Sequence, residues 1–417
     1  MNPHAIFVLI LNLLVIGGFS YFIYLRLNNS PARKLYFPAL FFKVACGLAL
    51  GLLYFYYYQK GDTVFYFNAA KDLLKFPIAD YLQEVFFTKI PYNQRSTLPM
   101  VKITSLFLWV TGSNYWLATI YFSLFSFCGC FYFVHQLAKK YPEFKMTAAI
   151  SFLFYPSVMF WSSGILKESV VFGIVMFLSG FLIRYYFWRK INIWQVFIFM
   201  TGGWLMLVLK YYIAAVFLPV VVVVFLLSFA NNSDKIKNSK PVYKYFGLVL
   251  LVAGVVIWAS NMQYNLDITR IFSVVKDNQQ QILATGNPEN MIHFLDESQS
   301  ILMVFPNLII ALFSGLFGPV FPQMTSFLQV TLCIENLMVL VLFFTSLNRK
   351  IKVSDDNRVL IYGGVIYILI LATLLSYATP DFGTLTRYKV YFMPYFLMFI
   401  LCKNLLVSKL KSLIKFL

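Results

Sequence analysis

The chain has 417 residues, of which 60% are hydrophobic, 19% aromatic and 12% charged. A water-facing surface usually needs about a quarter of its residues charged, so this composition excludes a soluble globular enzyme and a disordered chain. The formal net charge of +18 would suit a nucleic-acid partner, but its distribution along the chain points elsewhere.

Apolar runs of roughly 17–22 residues recur, the length that crosses about 30 Å of hydrocarbon at about 1.5 Å per residue. Lipid offers the backbone no hydrogen-bond partner, so such runs are expected as helices. The fold expected is all-α: a polytopic transmembrane helical bundle of about eleven spans, within a range of ten to thirteen. Residues 5–26 come first; without a charged leader region or a small-residue cleavage site they read as a retained span. The others are 36–58, 115–137, 146–162, 168–188, 192–209, 212–229, 244–260, 325–346, 358–377 and 388–407. Residues 99–112 are too short and polar to cross comfortably, and 301–318, interrupted by Pro306 and by Gly318 to Pro322, read as a re-entrant or interfacial segment. The whole chain then forms one transmembrane domain with two long loops on one side, at 59–114, with amphipathic helices, and at 261–324.

The loops alternate in charge. Arg26, Arg33 and Lys34 follow the first span, Lys139, Lys140 and Lys145 the third, and Arg184, Arg189 and Lys190 the fifth. Lys235, Lys237, Lys240 and Lys244 precede the eighth; Arg349, Lys350, Lys352 and Arg358 precede the tenth; Lys403, Lys409, Lys411 and Lys415 close the chain. Those segments hold 21 basic residues against four acidic ones, which accounts for all but one of the net positive charges. By the positive-inside rule they face the cytoplasm, with the N-terminus outside and the C-terminus inside. The basicity is a topology signal reinforced by anionic lipid, and no nucleic-acid partner is expected.

With that orientation the unusual polar residues collect on the outer side. Asp62 follows the second span in GDTVFYFNAAKDLL. Lys167 and Glu168 stand in the turn YPSVMFWSSGILKESVVFG, Lys210 between the sixth and seventh spans, and Asp381, Arg387 and Lys389 in ATPDFGTLTRYKVYFMPYF. An acidic group there can take a proton from an attacking hydroxyl, and cations at membrane depth can hold a phosphate anchored by a lipid tail. Each has a plainer reading: Asp62 as a helix N-cap, Lys167 and Glu168 paired with each other or snorkelling, and Lys210 and Lys389 snorkelling to the interface. Glu335, inside the ninth span, must face protein or be protonated. The five cysteines all lie in apolar runs, and the three histidines are scattered, so no metal-ligand set is expected.

These segments together resemble the polyprenyl-phosphate-dependent membrane glycosyltransferases of the GT-C fold, and more weakly O-antigen and exopolysaccharide polymerase-like proteins. Asp62, Tyr66, Ala70 and Leu73 have the spacing of the acidic residue and the Y-x₃-A-x₂-L-like helix of that group, and Arg387-Tyr388 with Pro394 is similar to its late R-Y-x₃-P-like motif, with wider spacing. Pro156, Trp161 to Gly164, Lys167 and Glu168 look like a stretch in bacterial relatives. The resemblance implies an inverting sugar transfer at the outer, periplasmic face of a bacterial cytoplasmic membrane. Asp62 would be the general base, with Lys167, Glu168, Lys210, Asp381 and Arg387 binding substrate or phosphate. The donor would be a polyprenyl-phosphate-linked sugar among membrane lipids, the acceptor a glycan, lipid or protein. No cofactor is required, although the family leaves room for a divalent metal (Mg or Mn). The family's paired acidic motif is absent, since Asp62 is followed by Thr63 and Val64, and no soluble C-terminal domain follows. The rival readings are a polysaccharide polymerase or ligase, a transporter of a lipid-linked substrate, and a non-catalytic subunit of an envelope assembly.

Overall fold

Backbone groups without access to water must be paired within their own segment, and the described chain is built accordingly from helices. The computed structural model describes residues 3–28, 30–88, 96–188, 192–230, 271–296, 301–320, 327–347, 355–402 and 404. Among them no strand occurs, only the isolated bridge between Met291 and Asp381. Six helices are long and apolar enough to cross a membrane: Pro3–Arg26, Arg33–Tyr58, Tyr115–Lys140, Lys167–Phe187, Gln329–Leu347 and Val359–Ala378. They mark this as a membrane protein. Ile193–Leu209 and Tyr211–Leu227 are apolar but shorter, and the expected span at 244–260, with the basic segments at 235–244, 349–352 and 405–417, lies outside the described residues.

The chain divides into two compact units, Met1–Lys210 and Tyr211–Leu417. The first contains α1 (Pro3–Arg26), α2 (Tyr36–Leu52, continued by a π-helical turn to Tyr58), α3 (Asp62–Leu73), α4 (Ile78–Phe86) and α5 (Thr97–Val110). It goes on with α6 (Tyr115–Lys140), α7 (Lys145–Leu153), α8 (Pro156–Trp161), α9 (Lys167–Trp188) and α10 (Ile193–Leu209). Its centre is the pair α6 and α9, which run parallel: Gly129 meets Gly173, and one turn and more further on Gly180 meets Tyr132 and Phe133. Small residues let the two backbones approach, the usual device where lipid supplies no hydrophobic drive between helices. α2 runs antiparallel to α6, with Gly51 against Tyr115 and Trp116 and Tyr36 against Phe127 and Phe131. The outlying α1 is exposed on nearly every face, yet Asn12 ties it in by donating to the Val110 carbonyl at 3.2 Å and accepting from Tyr121 Oη at 2.8 Å.

Two expected spans are broken. Residues 146–162 divide into α7 and α8 because Pro156 cannot continue a helix, and the turn Ser162 to Leu166 that follows is wholly buried. That turn is wedged between α2 and α6: Gly164 (φ +72°) lies by the Gly47 carbonyl, and its N–H donates to Ser123 Oγ at 3.1 Å. In the second unit, residues 388–407 begin with the end of the helix Phe382–Tyr388 and the 3₁₀ turn Lys389–Tyr391, before the short helix Met393–Leu401.

The second unit holds α11 (Tyr211–Ala230), α12 (Ile271–Thr285), α13 (Val304–Phe317), α14 (Phe327–Leu347), α15 (Asp355–Ala378), α16 (Phe382–Tyr388) and α17 (Met393–Leu401). α13 has 14 residues, about 21 Å at 1.5 Å each, short of the hydrocarbon thickness. It packs on α15 through Gly315, against the Ala372 carbonyl and Ser376. Its buried Asn307 closes a two-way hydrogen bond with the Leu295 backbone, at 2.8 and 2.9 Å. Asn404 fastens the end of α17 to α14 through the Leu342 carbonyl and Thr345.

Candidate functional site

α2 leaves its helix at Tyr58 through Gln59 in the left-handed region and Gly61 at φ +116°, where a Cβ would meet the Tyr54 ring at 2.6 Å. That turn delivers Asp62 to the first position of α3, with Gly61 in the N-cap position. Asp62 is thus one residue inside the helix, where the aligned peptide dipoles favour its negative charge, and the expectation of a cap is corrected by one position. Thr63 anchors the helix start to α6 through Tyr115 Oη, 2.8 Å away. Tyr66, one turn beyond Asp62 on the same face of α3, is buried.

Lys167 opens α9, and its ammonium stands 5.7 Å from the centre of the Tyr66 ring while donating to Ser96 Oγ at 3.1 Å. Glu168 meets a lysine from the end of α10. It is 1% exposed and accepts from Lys210 Nζ at 3.1 Å, Lys210 itself being 4% exposed. Lys210 is therefore no snorkelling side chain but half of a buried ion pair. Its position explains this: Glu168 lies at the N-terminal end of α9 and Lys210 caps the C-terminal end of the antiparallel α10, so each charge meets the favourable end of its own helix dipole. One end of the first unit consequently collects Asp62, Tyr66, Lys167, Glu168 and Lys210. The described cations Arg33, Lys34, Lys139, Lys140, Lys145 and Arg184 belong to the opposite end, at the start of α2, the end of α6, the start of α7 and the last turns of α9.

In the second unit Asp381 caps α16. One carboxylate oxygen accepts from the Thr384 N–H and hydroxyl, both at 2.7 Å, and the other from Asn290 Nδ2 at 2.9 Å. Arg387 lies in the last turn of that helix, beside Tyr388, whose ring is 5.7 Å from that of Tyr212. Lys389, expected to snorkel, is 5% exposed and donates to the Gly318 carbonyl and to Asn336 Oδ1. Glu335, next to Asn336 on α14, is 6% exposed and so faces protein. Asp62, Lys167, Glu168 and Lys210 share the first unit, while Asp381 and Arg387 belong to the second.

Three further polar side chains of the first unit were not named as site residues from sequence. Ser96, which meets Lys167, carries no signal in a polar loop. Lys43 does: a lysine within an apolar run has to find a protein partner, and it is fully buried, donating to Ser162 Oγ at 2.5 Å. Lys102 donates to the Thr88 carbonyl at 3.2 Å, and burial pulls its ammonium below the usual lysine range while Glu84 opposes the shift. Among the described residues no group of three or more His, Cys, Asp or Glu side chains could hold a metal ion, so no chemical step is derived through one. No family model matches the chain, no curated protein matches it, and no solved structure matches it.

Proposed function

We propose that the protein is a GT-C-like membrane glycosyltransferase that moves a sugar from a polyprenyl-phosphate donor to an acceptor hydroxyl at the outer face of a bacterial cytoplasmic membrane. In this reading about eleven spans set the basic helix ends in the cytoplasm by the positive-inside rule, with the N-terminus outside and the C-terminus inside. The observation that carries it is the juxtaposition on α3 and α9: a carboxylate at Asp62, an aromatic face at Tyr66 one turn away, and the Lys167 ammonium 5.7 Å from that ring.

The chemistry follows from those groups. Asp62 takes the proton of the acceptor hydroxyl, whose oxygen attacks the anomeric carbon from the face opposite the phosphate. The bond from that carbon to the phosphate oxygen breaks, its electron pair leaves with the polyprenyl phosphate, and the configuration inverts. Lys167 meets the charge that develops on the leaving phosphate, and the late arginine-tyrosine motif gives Arg387 a part in phosphate binding. Glu168 and Lys210 neutralise one another, so their part is to hold the start of α9, and with it Lys167, in place. Asp381 has the corresponding structural part for α16.

Asp62→Asn is expected to lower transfer of radiolabelled sugar from a polyprenyl-phosphate donor by about 10²–10⁴-fold, the usual contribution of a positioned base. The thermal unfolding midpoint should stay unchanged. Retained transfer by a well-folded variant sinks the assignment. Arg387→Ala is expected to raise the donor KM severalfold more than Arg387→Lys does, because lysine keeps the charge and loses only the fork geometry. Equal effects would remove the phosphate role.

The buried Lys43, Lys389 and Glu335 favour a second reading, a transporter of a lipid-linked substrate, since such proteins place charge at membrane depth. Translocation of labelled donor across proteoliposomes without formation of glycosylated product would select it.

A further inference from the structure

The first unit contains a cavity of about 400 Å³ between α1, α2, α6, α9 and α10, within the range of about 300–1,000 Å³ typical of small-molecule sites. Gly129, Gly173 and Gly202 are among its lining residues. Its walls are aliphatic and aromatic, and its polar groups are few: the hydroxyls of Tyr36 and Tyr132 and the ring of His135. Along α6 the lining runs from Phe125 to His135, ten residues or about 15 Å. That is half of the roughly 30 Å hydrocarbon thickness, the depth of one leaflet. The cavity opens sideways beside Phe125 and Ile198, which are 43% and 44% exposed.

The His135 end carries the charge. Lys139 stands one turn beyond His135 on the same face of α6, and Arg184 stands one turn beyond Gly180, which packs on Tyr132 and Phe133. Arg33, Lys34, Lys140 and Lys145 stand on neighbouring helix ends, and Glu143 is the described carboxylate among them. The positive-inside rule accounts for cations at this end, but not for an apolar crevice that begins there and runs about half the length of a span.

We propose that this cavity binds an anionic phospholipid, one acyl chain lying between Phe125 and His135 and the phosphate resting on Arg184 and Lys139. Each part of the ligand meets its match. The apolar walls replace neighbouring lipid tails, the depth suits one leaflet and not a long polyprenyl chain, and the guanidinium of Arg184 is suited to phosphate. This site is at the opposite end of the unit from Asp62 and stands whether or not the protein transfers sugars.

The test uses the full chain purified in detergent, with native mass spectrometry counting lipids retained from phosphatidylglycerol or phosphatidylcholine of identical chains. Wild-type protein is expected to retain one phosphatidylglycerol about tenfold more tightly than phosphatidylcholine. Arg184→Gln should remove that preference, and Ile198→Trp, which fills the side opening, should weaken both lipids about tenfold. Both positions are only partly covered, so the lipid-free unfolding midpoints should match wild type; should either variant fail to fold, Lys139→Gln and Ile198→Phe take their places. Equal retention of the two lipids by wild type, or unchanged retention of phosphatidylglycerol in either variant, overturns the proposal.

Discussion

Glu168→Ala is expected to destabilise the protein by about 3–5 kcal/mol, the cost of removing one partner from a buried ion pair. Domains are stable by only about 5–15 kcal/mol, so the variant should unfold about 10 °C earlier in detergent or fail to emerge as a single folded species. The reason is in the geometry. Glu168 and Lys210 are 1% and 5% exposed at their side chains and 3.1 Å apart. Without the carboxylate, the ammonium stays at the C-terminal end of α10 with a large part of its desolvation no longer offset. The pair need not be worth much in itself, since burying two charges costs nearly what their attraction returns. The double variant Glu168→Leu with Lys210→Met, which removes both charges, should therefore recover most of the loss. Unfolding midpoints of the two single variants and the double variant decide it: a Glu168→Ala protein as stable as wild type would show that the pair is not buried as described.

Gly129→Val is expected to prevent folding, and Gly129→Ala to reduce the yield of folded protein severely. A Cβ at this position would lie 2.0 Å from the carbonyl oxygen of Gly173. That atom belongs to the backbone of α9, so no rotamer change relieves the clash and the two helices must move apart. Overpacking a core usually costs about 1–3 kcal/mol when side chains can give; here they cannot. The same helix pair is locked again at Gly180, where a Cβ would meet the Tyr132 ring at 2.7 Å. Gly17 and Gly18 in α1 are the built-in control, because nothing lies within 4 Å of a Cβ there. Alanine at either should be neutral or stabilising by up to about 1 kcal/mol, through its better helix propensity. Fluorescence-detected size-exclusion profiles of the four alanine and valine variants separate the cases. A monodisperse Gly129→Val protein would mean that α6 and α9 do not approach as closely as described.

How much of this was legible beforehand differs between elements. Long apolar runs with helical necessity announced α1, α2, α6, α9, α14 and α15, because hydropathy over eighteen residues is a property of the run itself. The same reasoning did not foresee the break at 146–162, where Pro156 ends the helix, or the short helical pieces within 388–402. Hydropathy counts apolar residues and does not register a buried turn such as Ser162 to Leu166. Of the candidate site, Asp62, Lys167, Glu168 and Lys210 were marked as unusual by type and place. Their pairings were not: that Glu168 meets Lys210 and that Lys167 meets Ser96 and Tyr66 could not be read from residue type or place.

By itself, then, the amino-acid sequence determined the solvent this protein belongs in, its helical class, and the segregation of its basic residues to alternate loops. These follow from local composition and from the unpaired backbone that lipid forbids. Only the tertiary structure decided that Glu168 meets Lys210 across 42 residues, that Lys167 turns to Tyr66, and that Lys389 is buried against Gly318. Those contacts depend on which helix ends are brought together, and that is set by close approaches such as Gly129 on Gly173. A glycine in an apolar run looks the same whether it faces a neighbouring backbone or open lipid.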